Sequence, residues 1–398
     1  MNKGSWIEIS RPISFFCKRL IPRMLWNIAF KTLLSDRGKL LAGLVGVVFS
    51  IVLVNIQGGL FSGLMSKATL LVDRGNADIW VGSRGMHNVD FAHDFPARWV
   101  DRVRSVPGVQ EAEPIRISFS EMMLPNGRYE SIVVIGVQPT SNLGRAWQIV
   151  EGPLNALDEP YGVIVDRCDD DRLDSPVIGE LREIGGRRAR ITGKSYGILS
   201  FLVAPYVFTT LDRAHEFTGS DPSMCSYLLV KTHDGVDPEL VCELIRQRLP
   251  EVAALTAADY AERSANFWTT RTGIGMSFGA STVLGLLVGL VMVGQTLYAM
   301  VLDRISEFAT LKAIGATERE IISLLIAQSA CVATIGIAIG VLLSGLIGFV
   351  FDTPRASIHI PTSLYLCSAG LVFMICLVAS GLPYLRVRRV DPHEVLQG

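Results

Sequence analysis

Four groups of residues in this chain have the types and spacing to do chemistry. Gly193-Lys194-Ser195 has the look of the end of a phosphate-binding loop. Such a loop needs a glycine five positions before its second glycine, because backbone N–H groups must wrap the phosphate. Arg188 stands at that position, so the cradle cannot form. Asp166, Asp169, Asp170, Asp171 and Asp174 could hold a hard cation. They lack the central glycine and terminal glutamate of a calcium loop, and a solvated surface loop is expected instead. The histidines His87, His93, His215, His233, His359 and His393 show no paired ligand spacing, so no metal site is expected. No serine sits in a Gly-x-Ser-x-Gly elbow. Catalytic chemistry therefore has no visible home here.

The rest of the chain explains why. Its 398 residues are 49% hydrophobic and 19% charged. Four stretches free of Asp, Glu, Lys, Arg and His are long enough to cross a bilayer, which takes about 20 apolar residues. They run Leu40–Met65, Gly273–Leu302, Ile321–Phe351 and Ser363–Leu385. The net charge of −1 argues against a nucleic-acid binder, which needs a basic excess.

Lysine and arginine placement orients the spans. Residues 1–39 carry Lys3, Arg11, Lys18, Arg19, Arg23, Lys31, Arg37 and Lys39, and the tail carries Arg386, Arg388 and Arg389. Both termini are therefore expected in the cytoplasm, with residues 303–320 between spans two and three. Residues 66–272, acidic by about seven charges, are expected outside with the short loop 352–362. Ile13, Phe16, Leu20, Met24 and Ile28 alternate with basic residues at helical spacing within segment 1–39. An amphipathic helix on the cytoplasmic leaflet is expected there.

Cysteines give no framework. Cys17 is expected inside, Cys331, Cys367 and Cys376 lie in spans, and Cys168, Cys225 and Cys242 lie outside at irregular spacing. One disulfide among the last three, or buried free thiols, fits equally well.

The outer segment reads as an α+β domain of two lobes. Strand-like Ala77–Gly82, a helix face of Phe95, Trp99, Val103 and Val106 stopped by Pro107-Gly108, and a strand over Val109–Ser118 form one unit. Strand-like Ser226–Lys231, a helix face of Val241, Leu244, Ile245 and Leu249, and a strand over Val252–Thr256 form another. A β-rich lobe is inserted between them, with strands over Ser131–Val137, Gly162–Asp166, Leu181–Ile184 and Ala189–Thr192. The last two are joined by a turn at Gly185-Gly186-Arg187-Arg188. A helix over Thr256–Thr272 is expected to run straight into the second span. The first span is expected to continue outward through Leu64–Val72, making a stalk.

The spans offer only Asn55, Gln57, Gln295, Gln328 and small hydroxyls as polar groups. Ion-coupled carriers generally hold an ionisable residue at membrane depth. Energy for any transport must then enter through another subunit. The point of entry is the segment from Asp303 to Ala316. Ile305, Phe308 and Leu311 recur at helical spacing, Gly315 is a natural stop, and Thr317 with Glu320 form a capping box that opens the next helix. A short helix pinned between two spans can take a push from a soluble partner.

Arg304-x-x-Glu307-Phe308-Ala309-x-Leu311-Lys312-Ala313-Ile314-Gly315-Ala316 resembles the signature of FtsX/MacB/LolC-type permeases of ATP-binding-cassette (ABC) transporters. The order of one span, a large outer domain and three spans matches. The tail Arg389-Val390-Asp391-Pro392-His393-Glu394-Val395-Leu396 resembles the family's end motif. The likeness is greatest to DevC-type members, whose ATPase is a separate chain.

The resemblance implies a mechanotransmission machine in which a non-catalytic permease homodimer pairs with two ATPase copies. No cofactor is expected on this chain, while ATP and Mg belong to the ATPase. It implies an inner-membrane protein in contact with lipid. A periplasmic membrane-fusion adaptor and an outer-membrane channel are further partners, with no nucleic acid. Arg304, Glu307, Phe308, Leu311, Lys312, Gly315 and Ala316 would contact the motor, with Phe308 docked in a groove on it. The pairs Gly275/Gly279, Gly285/Gly289 and Gly336/Gly340 permit close helix approach and are candidate dimer faces. Export or extraction of an amphiphilic, lipid-linked or peptide substrate is expected. The alternatives are an FtsX-like regulator that activates an extracytoplasmic cell-wall hydrolase, and a membrane-anchored enzyme.

Overall fold

The computed structural model describes residues 37–153, 155–313 and 317–388. The amphipathic segment expected before residue 37 and the tail motif from Arg389 lie outside the described residues.

In chain order the elements are helix α1 (Arg37–Arg74) and strands β1 (Ile79–Ser83) and β2 (Phe95–Pro96). Next come helix α2 (Val100–Arg104) and strands β3 (Val109–Met123), β4 (Tyr129–Val137), β5 (Ile149–Glu151) and β6 (Gly162–Asp166). Strands β7 (Leu181–Ile184), β8 (Arg187–Ser195) and β9 (Tyr206–Thr210), helix α3 (Leu211–Thr218) and strands β10 (Met224–Cys225) and β11 (Tyr227–Thr232) follow. The chain continues through α4 (Pro238–Arg248), β12 (Val252–Thr256), α5 (Ala257–Arg271) and α6 (Ile274–Asp303). Last come α7 (Ile305–Ala313), α8 (Glu318–Phe351), α9 (Thr362–Ala379) and α10 (Gly381–Arg388). Two compact units result. One holds residues 60–278 and 351–359, and the other holds the remaining helical segments.

In the first unit, β1, β3, β11 and β12 form an antiparallel sheet in the spatial order β12-β1-β11-β3. Helices α2 and α4 cross between its strands, which makes a ferredoxin-like split β-α-β lobe. Its core joins Ile79, Val81, Leu228 and Val230 of the sheet to Val103, Val241 and Ile245 of the helices. Leu244, expected on the buried face, is 39% exposed, and Cys242 is buried instead. The expected helix over residues 95–106 is broken up. Phe95 and Pro96 pair with β10, and the α-helix begins only at Val100. Pro96 lacks the N–H that an interior helical position would need.

Strand β3 is long enough to serve both lobes. Residues up to Ile115 pair with β11, and those from Arg116 pair with β4. From there β3, β4, β9, β6, β8 and β7 pair in sequence, and β7 returns to β3, closing a six-stranded barrel. Closure removes the exposed edges that invite aggregation. Met122, Ile132, Val207, Val163, Ile191 and Ile184, one from each strand, meet inside it. The β7–β8 turn is two residues, Gly185 and Gly186, both at positive φ (55° and 76°). Arg187 is therefore already paired with Ile184 in the ladder and is not part of the turn. Side chains pay for positive φ, and glycine does not.

Residues 166–174 are only in part the solvated loop expected, since Asp171 and Asp174 are exposed while Asp169 is buried. Asp166 is buried and accepts from the backbone N–H groups of Cys168 (2.9 Å), Gly197 (3.1 Å) and Ile198 (2.7 Å) and from the Ser195 hydroxyl (2.8 Å). Asp170 takes the Lys194 ammonium at 2.9 Å, so the lysine of the false phosphate motif is spent in an ion pair. Cys168, Cys225 and Cys242 are free thiols, and burial pushes Cys225 and Cys242 up to about 12.

The outer ends of α1 and α5 pack together under the sheet. The Ser264 hydroxyl donates to the Ala68 carbonyl at 3.1 Å, and Trp80, Tyr227 and Tyr260 stack between helix and sheet. The expected outward extension of the first span is present, since α1 is continuous to Arg74. The expected straight run from α5 into α6 is not. The helix stops at Arg271, and Gly273 at φ 75° turns the chain before α6 begins.

Beside this junction, Asp90 accepts from the Tyr206 hydroxyl at 3.1 Å in a site that is almost wholly buried. Burial pushes its carboxyl up to about 6, against the pull of that hydrogen bond. The folded state therefore holds a proton that the unfolded chain releases near pH 4, so this group's contribution to stability falls as pH rises from about 4 to about 6. Asp90→Asn, which mimics the protonated acid, is expected to raise the melting temperature of the full chain at pH 7.5 and leave it unchanged at pH 4. A melting series across pH would show it.

The second unit is a helical bundle. Among the described residues, four helices are long and apolar enough to span a membrane: Arg37–Arg74, Ile274–Asp303, Glu318–Phe351 and Thr362–Leu385. A Cβ added at Gly336 would lie 2.7 Å from Val47, and one at Gly340 would lie 2.8 Å from Ile51. One at Gly285 would overlap Leu53, and one at Gly289 would overlap the Ser50 hydroxyl. These four glycines, read as dimer faces, are buried against α1 of the same chain. Gly275 abuts the Thr269 carbonyl, and Gly279 faces open space. Asn55 links α1 to α8 and α9, donating to Ser344 (3.1 Å) and accepting from Ser368 (2.7 Å). Such bonds hold helices together where apolar contact alone gives no preference over lipid.

Candidate functional site

The segment singled out by its polarity folds as a short helix between two spans. Helix α6 ends at Asp303, and the Arg304 carbonyl accepts from the N–H groups of Glu307 (3.0 Å) and Phe308 (3.2 Å), starting α7 within one residue. On the far side Glu320 accepts from the Thr317 N–H (2.8 Å) and hydroxyl (3.0 Å), one half of a capping box at the start of α8.

The two faces of α7 differ. Phe308 (5% exposed) and Ala309 (0%) are buried among Val301 of α6, Ile321, Leu324 and Leu325 of α8, with Tyr384 of α10 packed alongside. Phe308, expected to dock in a groove on the motor, thus packs into its own bundle and anchors α7 there. A phenyl ring beside an apolar pocket of its own chain gains more by filling it than by waiting in water. Ser306, Glu307 and Thr310 are exposed and share the opposite stripe.

Arg304 and Glu307 approach to 3.7 Å, with Glu307 well exposed, an ion pair of small energetic weight. Lys312 is half-buried; Gly315 and Ala316, together with the Leu311 side chain, lie outside the described residues. The structure adds one contact that sequence reading missed. Asp303 at the end of α6 pairs with Lys39 at the start of α1. Lys39 had counted only as an orienting charge, and nothing in the spacing signals its partner. Among the described residues no cluster of His, Cys, Asp and Glu could hold a metal ion.

Comparison with known proteins bears on the whole chain. The model of the MacB-like periplasmic core domain matches residues 42–248, and that of the FtsX-like permease C-terminal matches residues 279–392. The chain belongs to the FtsX/MacB-type ABC transporter permeases. An uncharacterized ABC transporter permease of Mycobacterium tuberculosis (strain CDC 1551 / Oshkosh) is 25% identical over 366 residues, 89% of this chain and 93% of that protein. The macrolide export ATP-binding/permease protein MacB 2 of Aeromonas hydrophila is 29% identical over 177 residues, 43% of this chain and 27% of that protein. The periplasmic region of MacB from Actinobacillus actinomycetemcomitans aligns with a TM-score of 0.38 at 10% identity, over 48% of this chain and 94% of that one.

As an FtsX/MacB-type permease the chain is a multi-pass membrane protein with its α+β domain outside the cytoplasm, and the family implies an ATPase partner. Within this permease frame, α7 is the short helix between the second and third spans.

Proposed function

We propose that this permease converts ATP hydrolysis by a separate ATPase subunit into movement of its outer domain. That movement drives export or extraction of an amphiphilic, lipid-linked or peptide substrate. The observation that carries this reading is the two-faced α7, whose apolar side locks into α6 and α8 while Ser306, Glu307 and Thr310 stay exposed. A force applied to that exposed stripe reaches both spans through this packing. In this reading both termini are cytoplasmic, the complex contains two copies of this chain, and ATP and Mg stay on the ATPase. A periplasmic adaptor and an outer-membrane channel would carry substrate onward.

The test is Glu307→Lys in the full chain, co-expressed with its ATP-binding-cassette subunit. Association with that subunit is expected to fall about tenfold or more, as when one charge of an interface is reversed, with the melting temperature unchanged. Phe308→Ala should instead lower the melting temperature, by about 3–5 kcal/mol of lost core packing. If Glu307→Lys binds the ATPase as tightly as wild type, the proposed contact is wrong. If exchanging Arg304 and Glu307 restores binding, their pairing matters rather than contact with the motor.

A further inference from the structure

Asp169 is a buried carboxylate that its own lobe does not satisfy. It sits in the turn after β6, 3% exposed, and its buried Oδ2 has no hydrogen-bond partner among the described residues. Its neighbours are all committed. Asp166 is filled by four donors, Asp170 by Lys194, and Arg172 is drawn to Glu130. An ionised carboxylate held out of water costs several kcal/mol unless a cation answers it. The cation comes from the short loop that joins α8 to α9. The Arg355 guanidinium lies 3.6 Å from Asp169 and 3.7 Å from the exposed Asp171. Lys67, on the outer part of α1, donates to the Arg355 carbonyl at 2.5 Å and so fixes the loop from below.

The loop is shaped to present that arginine. Thr353 and Ala356 are bridged, with the Ala356 N–H donating to the Thr353 carbonyl at 3.0 Å. The Ile358 N–H donates to the Asp352 carboxylate at 3.0 Å. A cavity of about 50 Å³ lies beside the pair, lined by Leu64, Lys67, Phe201 and Arg355. It has room for little beyond a water, so the contact is a clasp and not a ligand site. Residues 351–359 belong to the same compact unit as the outer domain, yet the chain on either side continues directly into α8 and α9.

We propose that Arg355 is a coupling residue, clasping the loop between the third and fourth spans to the barrel lobe so that movement of α8 and α9 reaches the outer domain. The outer part of α1, continuous with the first span, is then the other mechanical route. Burial pushes the Asp169 carboxyl up to about 6 against the opposing pull of Arg355, so the clasp is closed at pH 7.5 and the test is run there.

The inference rests on the ATP-driven movement proposed above, and the test separates the two. Hydrogen exchange is followed in the full permease–ATPase complex in lipid nanodiscs, with and without ATP. Arg355→Gln and Asp169→Asn should each raise exchange in residues 351–359 about tenfold, with the double variant no faster than either. ATP-dependent exchange changes at residues 166–174, present in wild type, should be lost in Arg355→Gln while ATPase association persists. Retention of those changes with the loop released would overturn the clasp and leave the motor reading intact. Absence of any ATP-dependent change in the wild type would overturn both. Full additivity of the two substitutions would also sink the clasp, because the contact between Asp169 and Arg355 cannot be lost twice.

Discussion

Gly289→Val is expected to abolish the folded permease in membranes. The glycine backbone of α6 meets Ser50 of α1 so closely that a single added carbon would occupy the position of the Ser50 hydroxyl. That hydroxyl is itself committed, donating to the Gly46 carbonyl at 3.1 Å and the Gly285 carbonyl at 3.3 Å. Rotating that hydroxyl away does not clear the site, since the added carbon would still lie 2.9 Å from the Ser50 Cβ. Separating the helices would also open the contact of Gly285 with Leu53 one turn away. Overpacking of a tight core costs about 1–3 kcal/mol for ordinary insertions, and a branched side chain pressed on the Ser50 Cβ should exceed that range. Monodisperse protein recovered on size-exclusion chromatography should fall by about tenfold. Gly279→Ala is the control, since nothing lies within 4 Å of its added carbon. Wild-type recovery of Gly289→Val would mean that α1 and α6 do not pack as described. Partial rescue of Gly289→Ala by Ser50→Gly would locate the damage at this one contact.

Asp166→Ala should be the most damaging single change in the outer domain. Its carboxylate gathers three backbone N–H groups and the Ser195 hydroxyl at the junction of β6, β8 and the segment that follows β8. Alanine leaves those donors without an acceptor. The bonds from Ser195 and Ile198 are fully buried, and each buried donor left unpaired costs about 1–3 kcal/mol, so a total loss of about 3–5 kcal/mol is expected. For a domain of this size that lowers the melting temperature by about 10 °C. Asp166→Asn keeps one acceptor oxygen and should fall between. Asp174→Asn, at an exposed position with φ 58°, should change little, because asparagine tolerates that backbone conformation. Differential scanning calorimetry of the full chain distinguishes these outcomes, and equal melting of all three variants would refute the buried network.

The spans were legible because membrane helices must hide their backbone in unbroken apolar runs, and the sequence shows four such runs. The two strand–helix–strand units were legible from period-two and period-3.6 patterning. So was the capping box at Thr317 and Glu320, since both partners lie within one turn. What stayed hidden depends on partners far apart in the chain. Strand β9 and helix α3 went unread, and only their pairing with β4 and β6 shows that the inserted lobe closes into a barrel. The acidic residues 166–174 read as solvated because their donors, at positions 194–198, and Arg355 come from elsewhere.

The same division runs through the candidate sites. The sequence by itself determined four membrane spans with a polar segment between the second and third, and the likeness of that segment to known permeases pointed to the family. Charge, length and local periodicity are properties of neighbouring residues, and they suffice for the spans. Only the tertiary structure decided which side of each helix meets what. It turned Phe308 inward to the bundle and left Glu307 outside, because packing against α8 rewards the phenyl ring and solvent rewards the carboxylate. It spent Gly285, Gly289, Gly336 and Gly340 on contacts with α1, since a small residue permits close approach without specifying which helix approaches.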